Sequence, residues 1–164
     1  MGTPKPSERK LFDPILLAPP IFVAHFLEES PTFVFWFNSH VERGITPGLF
    51  WRVNLTALVI TMIVVAVEWF SHSSLSLVLV IAWFGALMFA NAIFHIAGAF
   101  VDSRYVPGVA TAAMLYLPYY LWLFVRGVKS RLVGVPVLIG AAVIGGIPMF
   151  AHGYLILFKG SRLF

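Results

Sequence analysis

One histidine and two adjacent glutamates lie in the first apolar stretch of this chain, in the pattern His25-x-x-Glu28-Glu29. Residues three and four apart share a face of an α-helix, so His25 can meet either carboxylate there. An ionisable side chain at membrane depth costs about 3 kcal/mol, which makes it a candidate for a function. Imidazole and carboxylate in this arrangement predict half of a metal site, a proton-transfer pair or a buried ionic lock.

The composition is that of a membrane protein. Of the 164 residues, 60% are hydrophobic and 11% are charged, whereas soluble domains carry about 25% charged residues. A soluble domain of this length could not bury so much apolar surface. The net charge of +4 suits contact with anionic headgroups of the lipid bilayer and argues against nucleic-acid binding. Because the chain has no cysteine, any metal must be held by nitrogen and oxygen ligands.

The apolar stretches predict an all-α, polytopic membrane bundle of about five transmembrane helices, in a single domain over residues 1–164. The predicted spans are residues 12–30, 51–70, 75–101, 105–125 and 132–158, and the last four exceed the 20 or so residues that a hydrocarbon core requires. Residues 1–10 form a polar tail, and Pro19-Pro20 predicts a kink in the first span. Residues 32–44, aromatic and then polar, predict an interfacial or re-entrant segment.

The distribution of basic residues predicts the orientation. Five spans place six Lys and Arg on the side of the N-terminus and five on the other side. By the positive-inside rule this small excess favours a cytoplasmic N-terminus.

Threading the five spans up and down the membrane brings polar residues of three spans to one depth. The histidine and glutamates end the first span, while His95 and His152 each lie about 9 Å before the end of the third and fifth spans at a rise of 1.5 Å per residue. Asn91 shares a helix face with His95. The residues at this depth are His25, Glu28, Glu29, Asn91, His95 and His152. We expect the first five of them to surround one internal cavity.

Other polar residues are expected to lie elsewhere or to have plain structural roles. Glu68 and His72 form a second pair four residues apart, which the threading places at the opposite face of the membrane. His40, in the interfacial segment, is expected to be solvated. Asn91 and His152 could also serve as hydrogen-bonding contacts between helices, which are common in membranes.

Three short motifs, in this order along the chain, resemble the signature of HXXEE-domain membrane proteins, which are small bacterial proteins of no settled function. The motifs are His25-x-x-Glu28-Glu29, Asn91-x-x-x-His95 and Tyr105-x-Pro107-Gly108-x-x-Thr111. The resemblance implies that the protein is integral to a bacterial inner (plasma) membrane and that eight residues matter, namely His25, Glu28, Glu29, Asn91, His95, Tyr105, Pro107 and Gly108. It implies no particular reaction.

The residues favour a membrane-embedded, metal-dependent enzyme as the first hypothesis. The candidate ligands are His25, Glu28, Glu29, His95 and His152. Imidazole and carboxylate suit a divalent metal such as zinc or iron, and an open coordination position would activate water. The candidate catalytic groups are Glu28, Glu29 and Asn91, with a glutamate outside the ligand set as general base and the asparagine orienting a ligand or an oxyanion. The substrate would be lipidic or otherwise hydrophobic and reached from the bilayer.

Two other functions remain open at this point. A protonated glutamate in an aromatic-lined cavity could start the isomerisation or cyclisation of an isoprenoid-like substrate without a metal. Alternatively, the same cluster could serve a small transporter or binding protein as a proton relay. Without a cation, one of the adjacent carboxylates of Glu28 and Glu29 is expected to hold a proton, because repulsion and desolvation oppose a doubly ionised pair.

Overall fold

The computed structural model describes residues 13–160, and these residues form a bundle of helices with no β-strand among them. The polar tail predicted for residues 1–10 lies outside the described residues. In chain order the helices are α1 (Ala18–Glu29), α2 (Phe33–Asn38), α3 (Pro47–Ser71), α4 (Ser74–Asp102), α5 (Val109–Ser130) and α6 (Val135–Lys159). The predicted all-α bundle is confirmed.

Four of these helices, α3 to α6, are long and apolar enough to cross a membrane. They contain 25, 29, 22 and 25 residues, and about 20 suffice. In the most apolar 18-residue window of α3 only 11% of the residues are buried, so this helix presents most of its apolar surface outwards, as a lipid-facing helix does. The chain is therefore an integral membrane protein. The span predicted from residue 105 begins later, at Val109, because residues 103–108 form a loop.

The first predicted span, residues 12–30, is a shorter helix than the sequence predicted. A 3-10 turn (Pro14–Leu17) precedes α1, which has 12 residues and is about 18 Å long. Pro19 and Pro20 do not kink it, because they lie in its first turn. Backbone N–H groups there have no acceptor within the helix, so proline is tolerated.

The 3-10 turn and α1 nevertheless run antiparallel beside α5 over almost its full length. At one end Arg126 makes a bidentate ion pair with Asp13. At the other end the Glu28 carboxylate accepts the backbone N–H of Ala110 at 3.1 Å. This first segment therefore extends from one end of the bundle to the other, although α1 alone is too short to do so.

The short helix α2 falls within the predicted interfacial segment and is fastened to the end of α4. Trp36 Nε1 donates to Asp102 Oδ2 at 2.7 Å, and His40 Nε2 lies 3.0 Å from Asp102 Oδ1. The Arg104 guanidinium contacts the same carboxylate at 3.2 Å. The expectation that His40 is solvated is wrong, since its side chain is 14% exposed and its partner lies far away in the sequence.

Two of the long helices contain a π-helical turn, at Gly85–Ala90 in α4 and at Ala112–Tyr116 in α5. Such turns are rare, and they occur mostly at functional sites. The turn in α4 ends directly before Asn91, and the turn in α5 begins directly after Thr111. Both turns therefore change which residues face the interior next to the predicted site.

Candidate metal centre

Helices α1 and α4 bring His25, Glu29 and His95 together at the end of the bundle where α5 begins. Glu29 Oε1 lies 3.1 Å from His95 Nε2 and 3.7 Å from His25 Nε2. The imidazole centroids are 4.9 Å apart and their planes are nearly perpendicular, at 81°. The three residues are 1%, 5% and 0% exposed. The predicted meeting of the first and third spans is confirmed.

These three side chains could hold a metal ion. They each offer one ligand atom, and these atoms lie within 4.8 Å of one another. Bonds of about 2.1 Å place adjacent ligands about 3.0 Å apart in octahedral and about 3.4 Å apart in tetrahedral coordination. The two measured separations from Glu29 lie close to this range. Two imidazoles and one carboxylate form a ligand set found in zinc enzymes and in iron oxygenases.

The loop before α5 touches all three residues through Gly108. A Cβ atom on Gly108 would lie 2.9 Å from Cε1 of both His25 and His95, and 3.0 Å from Cγ of Glu29. The backbone there has a φ of +90°. Glycine is therefore required both by the left-handed backbone and by the lack of space.

Glu28 does not join this cluster. Its carboxylate accepts the backbone N–H groups of Ala110 at 3.1 Å and Thr111 at 2.8 Å. It also accepts the hydroxyls of Thr111 and Tyr105. Partial burial and the Glu28 carboxylate raise the pKa of Tyr105 to about 12, so this phenol stays protonated and donates.

The two glutamates of the motif thus have separate partners, which corrects the expectation that both are ligands or share a proton. Four donors stabilise the ionised form of Glu28. His25 faces Glu29, four residues away, because a separation of four residues is about 40° around the helix and a separation of three about 60°.

Thr111 connects Glu28 to His25 and determines which nitrogen of the imidazole carries a proton. Its hydroxyl donates to Glu28 and lies 2.8 Å from His25 Nδ1. Because a hydroxyl has one proton, it must accept the N–H of His25. The proton of neutral His25 is then on Nδ1, and Nε2 presents a lone pair to the cluster. A hydrogen bond to the ring nitrogen that does not bind the metal orients metal-binding histidines in many proteins.

Tyr116 and Asn91 complete the inner surface of the site. The Tyr116 ring lies against the His25 imidazole with a centroid separation of 4.1 Å, and its residue is fully buried. The Asn91 side chain also faces His25. Neither the Tyr116 hydroxyl nor the Asn91 carbonyl oxygen has a hydrogen-bond partner. The site therefore contains polar atoms that no part of the described chain satisfies.

His152 does not enter the cluster, contrary to the expectation from its depth. Its ring stacks on Phe37 with centroids 6.3 Å apart, and it offers no ligand atom to the group formed by His25, Glu29 and His95. Depth along a helix fixes a residue's level in the membrane, but lateral position depends on which helices pack together.

Glu68 and His72 lie at the opposite end of the bundle, as predicted. They line a cavity of about 130 Å³ together with Asp13 and Arg126. Since Asp13 and Glu28 lie at opposite ends of the segment that runs beside α5, this cavity is separate from the candidate metal centre.

Reasoning from residue types and depth did not identify Thr111 and Tyr116 as parts of the site. For Thr111 the available signal was its place in Tyr105-x-Pro107-Gly108-x-x-Thr111, whose named tyrosine, glycine and threonine all contact the site. No comparable signal existed for Tyr116. Its orientation depends on the π-helical turn, which sequence patterns do not indicate.

A comparison with known proteins identifies a family for this chain. No curated protein and no solved structure matches the chain. A family model described as a protein of unknown function with HXXEE motif matches residues 16–123. This match includes α1 to α4 and most of α5, and with them every residue of the cluster and the loop that covers it. The chain belongs to the HXXEE family.

Proposed function

We propose that the protein is a membrane-embedded, metal-dependent enzyme with a zinc or iron ion bound by His25, Glu29 and His95. The observation that carries this proposal is a set of buried imidazole nitrogens that lie next to the Glu29 carboxylate and have no hydrogen-bond partner in the described part of the chain. Among the described residues, Nε2 of His25 and both ring nitrogens of His95 have no such partner, although His95 Nε2 is only 3.1 Å from Glu29 Oε1. Buried polar atoms without partners are costly, so a missing ligand is the natural explanation.

A divalent cation satisfies this site better than a proton does. A proton on His95 Nε2 would pair that ring with Glu29 and leave His25 Nε2 unsatisfied. One divalent ion would engage both imidazoles and the carboxylate at once, and it would neutralise the buried negative charge. The inward lone pair of His25, which Thr111 and Glu28 enforce, is the form that a metal requires.

Three protein ligands favour a catalytic site over a structural one. Structural zinc sites have four protein ligands, whereas catalytic sites keep a position open for water or substrate. In this proposal Glu28 is a positioning residue that acts through Thr111, and Glu29 is a ligand. Asn91 faces the interior of the site, where it can orient a bound molecule.

We propose a lipidic or otherwise hydrophobic substrate that arrives from the bilayer. The helix surfaces around the site are apolar and exposed at Leu27, Phe100 and Met114, so lipid surrounds the site laterally. We further propose that the membrane is a bacterial plasma membrane with the N-terminus on the cytoplasmic side, as the family resemblance and the basic residues predict.

A second candidate is a metal-free acid–base enzyme or a proton-coupled carrier. The observation in its favour is that one oxygen of Glu29 lies between two imidazoles, at 3.1 and 3.7 Å. Such a triad could share and release a single proton. Metal content distinguishes this candidate from the first.

The test is elemental analysis of the detergent-purified full chain after expression with zinc and iron supplied. We expect about one zinc or iron ion per wild-type chain and none in His95→Ala. Glu68→Gln, which changes a carboxylate at the other end of the bundle, is the matched control and should keep its metal. A wild-type protein without stoichiometric metal, or a His95→Ala variant that retains it, would contradict the proposal and favour the proton-sharing triad.

A second measurement separates a catalytic metal from a structural one. Manganese-loaded protein should accelerate the relaxation of solvent-water protons, because an open position exchanges water. If the loaded protein has no such effect, its coordination shell is closed to water. A metal-dependent enzyme with an open coordination position would then be excluded.

A further inference from the structure

The hydroxyl of Tyr116 is a fully buried polar group at the candidate metal centre for which neither the described fold nor the metal ligation provides a partner. Tyr116 is 0% exposed, and its hydroxyl makes no hydrogen bond within the described residues. The other buried tyrosines of α5 differ, since the hydroxyls of Tyr119 and Tyr120 donate to the backbone carbonyls of Pro14 and Ile81. A buried phenol without a partner indicates a ligand.

The backbone conformation brings this tyrosine to the site. In a regular α-helix, residues five apart are separated by about 140°, so Thr111 and Tyr116 would face different directions. The π-helical turn between them widens the helix, and both residues contact the His25 ring. The Thr111 hydroxyl lies 2.8 Å from Nδ1, and the Tyr116 ring is tilted by 33° against the imidazole at a centroid separation of 4.1 Å.

The unsatisfied atoms are concentrated here. In the part of the chain that the structure describes, six buried side-chain nitrogen and oxygen atoms lack a partner, and five of them belong to four residues around this centre. The four residues are His25, Asn91, His95 and Tyr116. A metal ion bound by one nitrogen of each imidazole would leave three of these atoms without partners in the described part of the chain, namely His95 Nδ1, the Tyr116 hydroxyl and the Asn91 carbonyl oxygen. The side chains of Tyr116 and Asn91 both lie next to His25, which points to a further bound molecule beside that ring.

The close packing around the two imidazoles restricts any further bound molecule to very few atoms. The Gly108 backbone lies directly on the two imidazoles, and the Phe33 and Phe94 rings lie 5.9 and 5.2 Å from the His95 ring. A phenol is protonated below about pH 10, and in this form it can donate a hydrogen bond. The missing partner of Tyr116 is therefore a small hydrogen-bond acceptor.

We propose that Tyr116 donates a hydrogen bond to a water molecule or small anion bound at the open position of the His25–Glu29–His95 site, with Asn91 beside it. This inference rests on the proposed metal site and adds a binding residue that belongs to no motif. Such a donor would hold the oxygen nucleophile in place and would stabilise negative charge on it.

The experiment uses the full chain loaded with Co²⁺ and azide as the probe, followed through the visible spectrum of the metal. We expect azide to bind the wild type and Tyr116→Phe to bind it about tenfold or more weakly, which is the usual effect of losing a hydrogen bond to a charged ligand. The Co²⁺ affinity of the variant should be little changed, since the Tyr116 hydroxyl makes no hydrogen bond to a proposed ligand within the described residues.

Tyr120→Phe is the matched control because it removes another buried phenol hydroxyl of α5, one that bonds to the Ile81 carbonyl at 3.4 Å. It should leave azide affinity unchanged. Tyr116→Phe removes a hydroxyl with no protein partner, so we expect the apoprotein to fold and its melting temperature to rise. A purely structural role for Tyr116 would instead lower the melting temperature and leave azide affinity unchanged.

The outcomes separate this inference from the metal site. If Co²⁺ binds and azide affinity is equal in wild type and Tyr116→Phe, the inference is overturned and the metal site stands. Co²⁺ binding without any spectral response to azide overturns it in the same way. If the wild type binds no Co²⁺, both proposals fail.

Discussion

The hydroxyl of Thr111 lies 2.8 Å from Nδ1 of His25 although the two residues are 86 positions apart. Because that hydroxyl also donates to Glu28, the two glutamates of the HXXEE motif have different tasks. Glu29 faces the imidazoles directly, and Glu28 determines the tautomer of one of them through Thr111.

Substitutions of the two glutamates should therefore have unequal effects. Glu29→Gln removes a proposed ligand, and we expect more than a 100-fold loss of zinc affinity, measured by competition with a chelator. Glu28→Gln should weaken zinc binding by about 10- to 100-fold, because Glu28 orients the ligand His25 through Thr111.

Thr111→Val breaks the same connection as Glu28→Gln, so it should cause a similar loss. The double variant Glu28→Gln, Thr111→Val should be little worse than either single variant, because residues of one hydrogen-bond network are not additive. Equal losses for Glu28→Gln and Glu29→Gln, or fully additive losses in the double variant, would show that the proposed connection is absent.

Gly108→Ala should damage both the fold and the site. The new methyl group would lie 2.9 Å from two imidazole carbons, and the backbone φ of +90° disfavours any side chain. We expect a loss of about 1–3 kcal/mol in the free energy of unfolding and a loss of metal binding, measured by thermal unfolding and zinc titration. Gly140→Ala is the control, because a Cβ there would meet nothing within 4 Å. It should be neutral or slightly stabilising. Equal effects of the two substitutions would argue against the close contact at Gly108.

The attachment of α2 to α4 should depend on one carboxylate. Asp102→Asn weakens the contacts to Trp36, His40 and Arg104. Hydrogen bonds to a charged group contribute about 1.5–3 kcal/mol, so we expect amide hydrogen exchange in α2 to accelerate at least tenfold. Asp13→Asn, at the other end of the bundle, should leave exchange in α2 unchanged. Unchanged exchange in Asp102→Asn would mean that apolar packing alone holds this helix.

The ion pair between Asp13 and Arg126 should make stability depend on pH in the acid range. Burial opposes ionisation of Asp13, but hydrogen bonds from the Arg126 side chain and the Ile15 backbone outweigh it and lower the pKa of this carboxyl below its usual value. Because the pKa of Asp13 is lower in the folded than in the unfolded state, its ionisation adds to the free energy of unfolding. This contribution is full above the unfolded-state pKa of about 3.9 and is lost as the pH falls through the folded-state pKa.

Asp13→Asn removes this contribution. The melting temperature of the wild type should exceed that of the variant at about pH 6, and the difference should shrink towards about pH 3. A difference that stays constant over this range would show that the ionisation of Asp13 is not what stabilises the contact.

The sequence predicted the elements of the fold and the meeting of two motifs, and it did so for physical reasons. Long apolar runs specify membrane helices, and alternating direction fixes which helix ends share a level. That reasoning placed His25 beside His95 and separated both from Glu68 and His72. It failed for His152, because helix depth carries no information about lateral packing. It failed for His40 because its partner Asp102 comes from another helix.

The motif alone could not predict that Glu28 and Glu29 have different partners. On a helix both residues lie near the face of His25, and the choice depends on the donors that the loop before α5 supplies. These donors depend in turn on the left-handed backbone at Gly108. A glycine in the sequence indicates that such a conformation is permitted, but only the assembled fold shows which side chains it brings into contact.

The π-helical turn at Ala112–Tyr116 makes the number of residues in α5 as important as their identities. Met114, inside this turn, is 74% exposed, so its side chain contributes little to the interior. Its presence as one more residue still matters, because deleting it would rotate Tyr116 by about 100° relative to Thr111. Position 114 should therefore tolerate almost any apolar side chain but no deletion. Met114 contributes through the spacing that it sets between Thr111 and Tyr116.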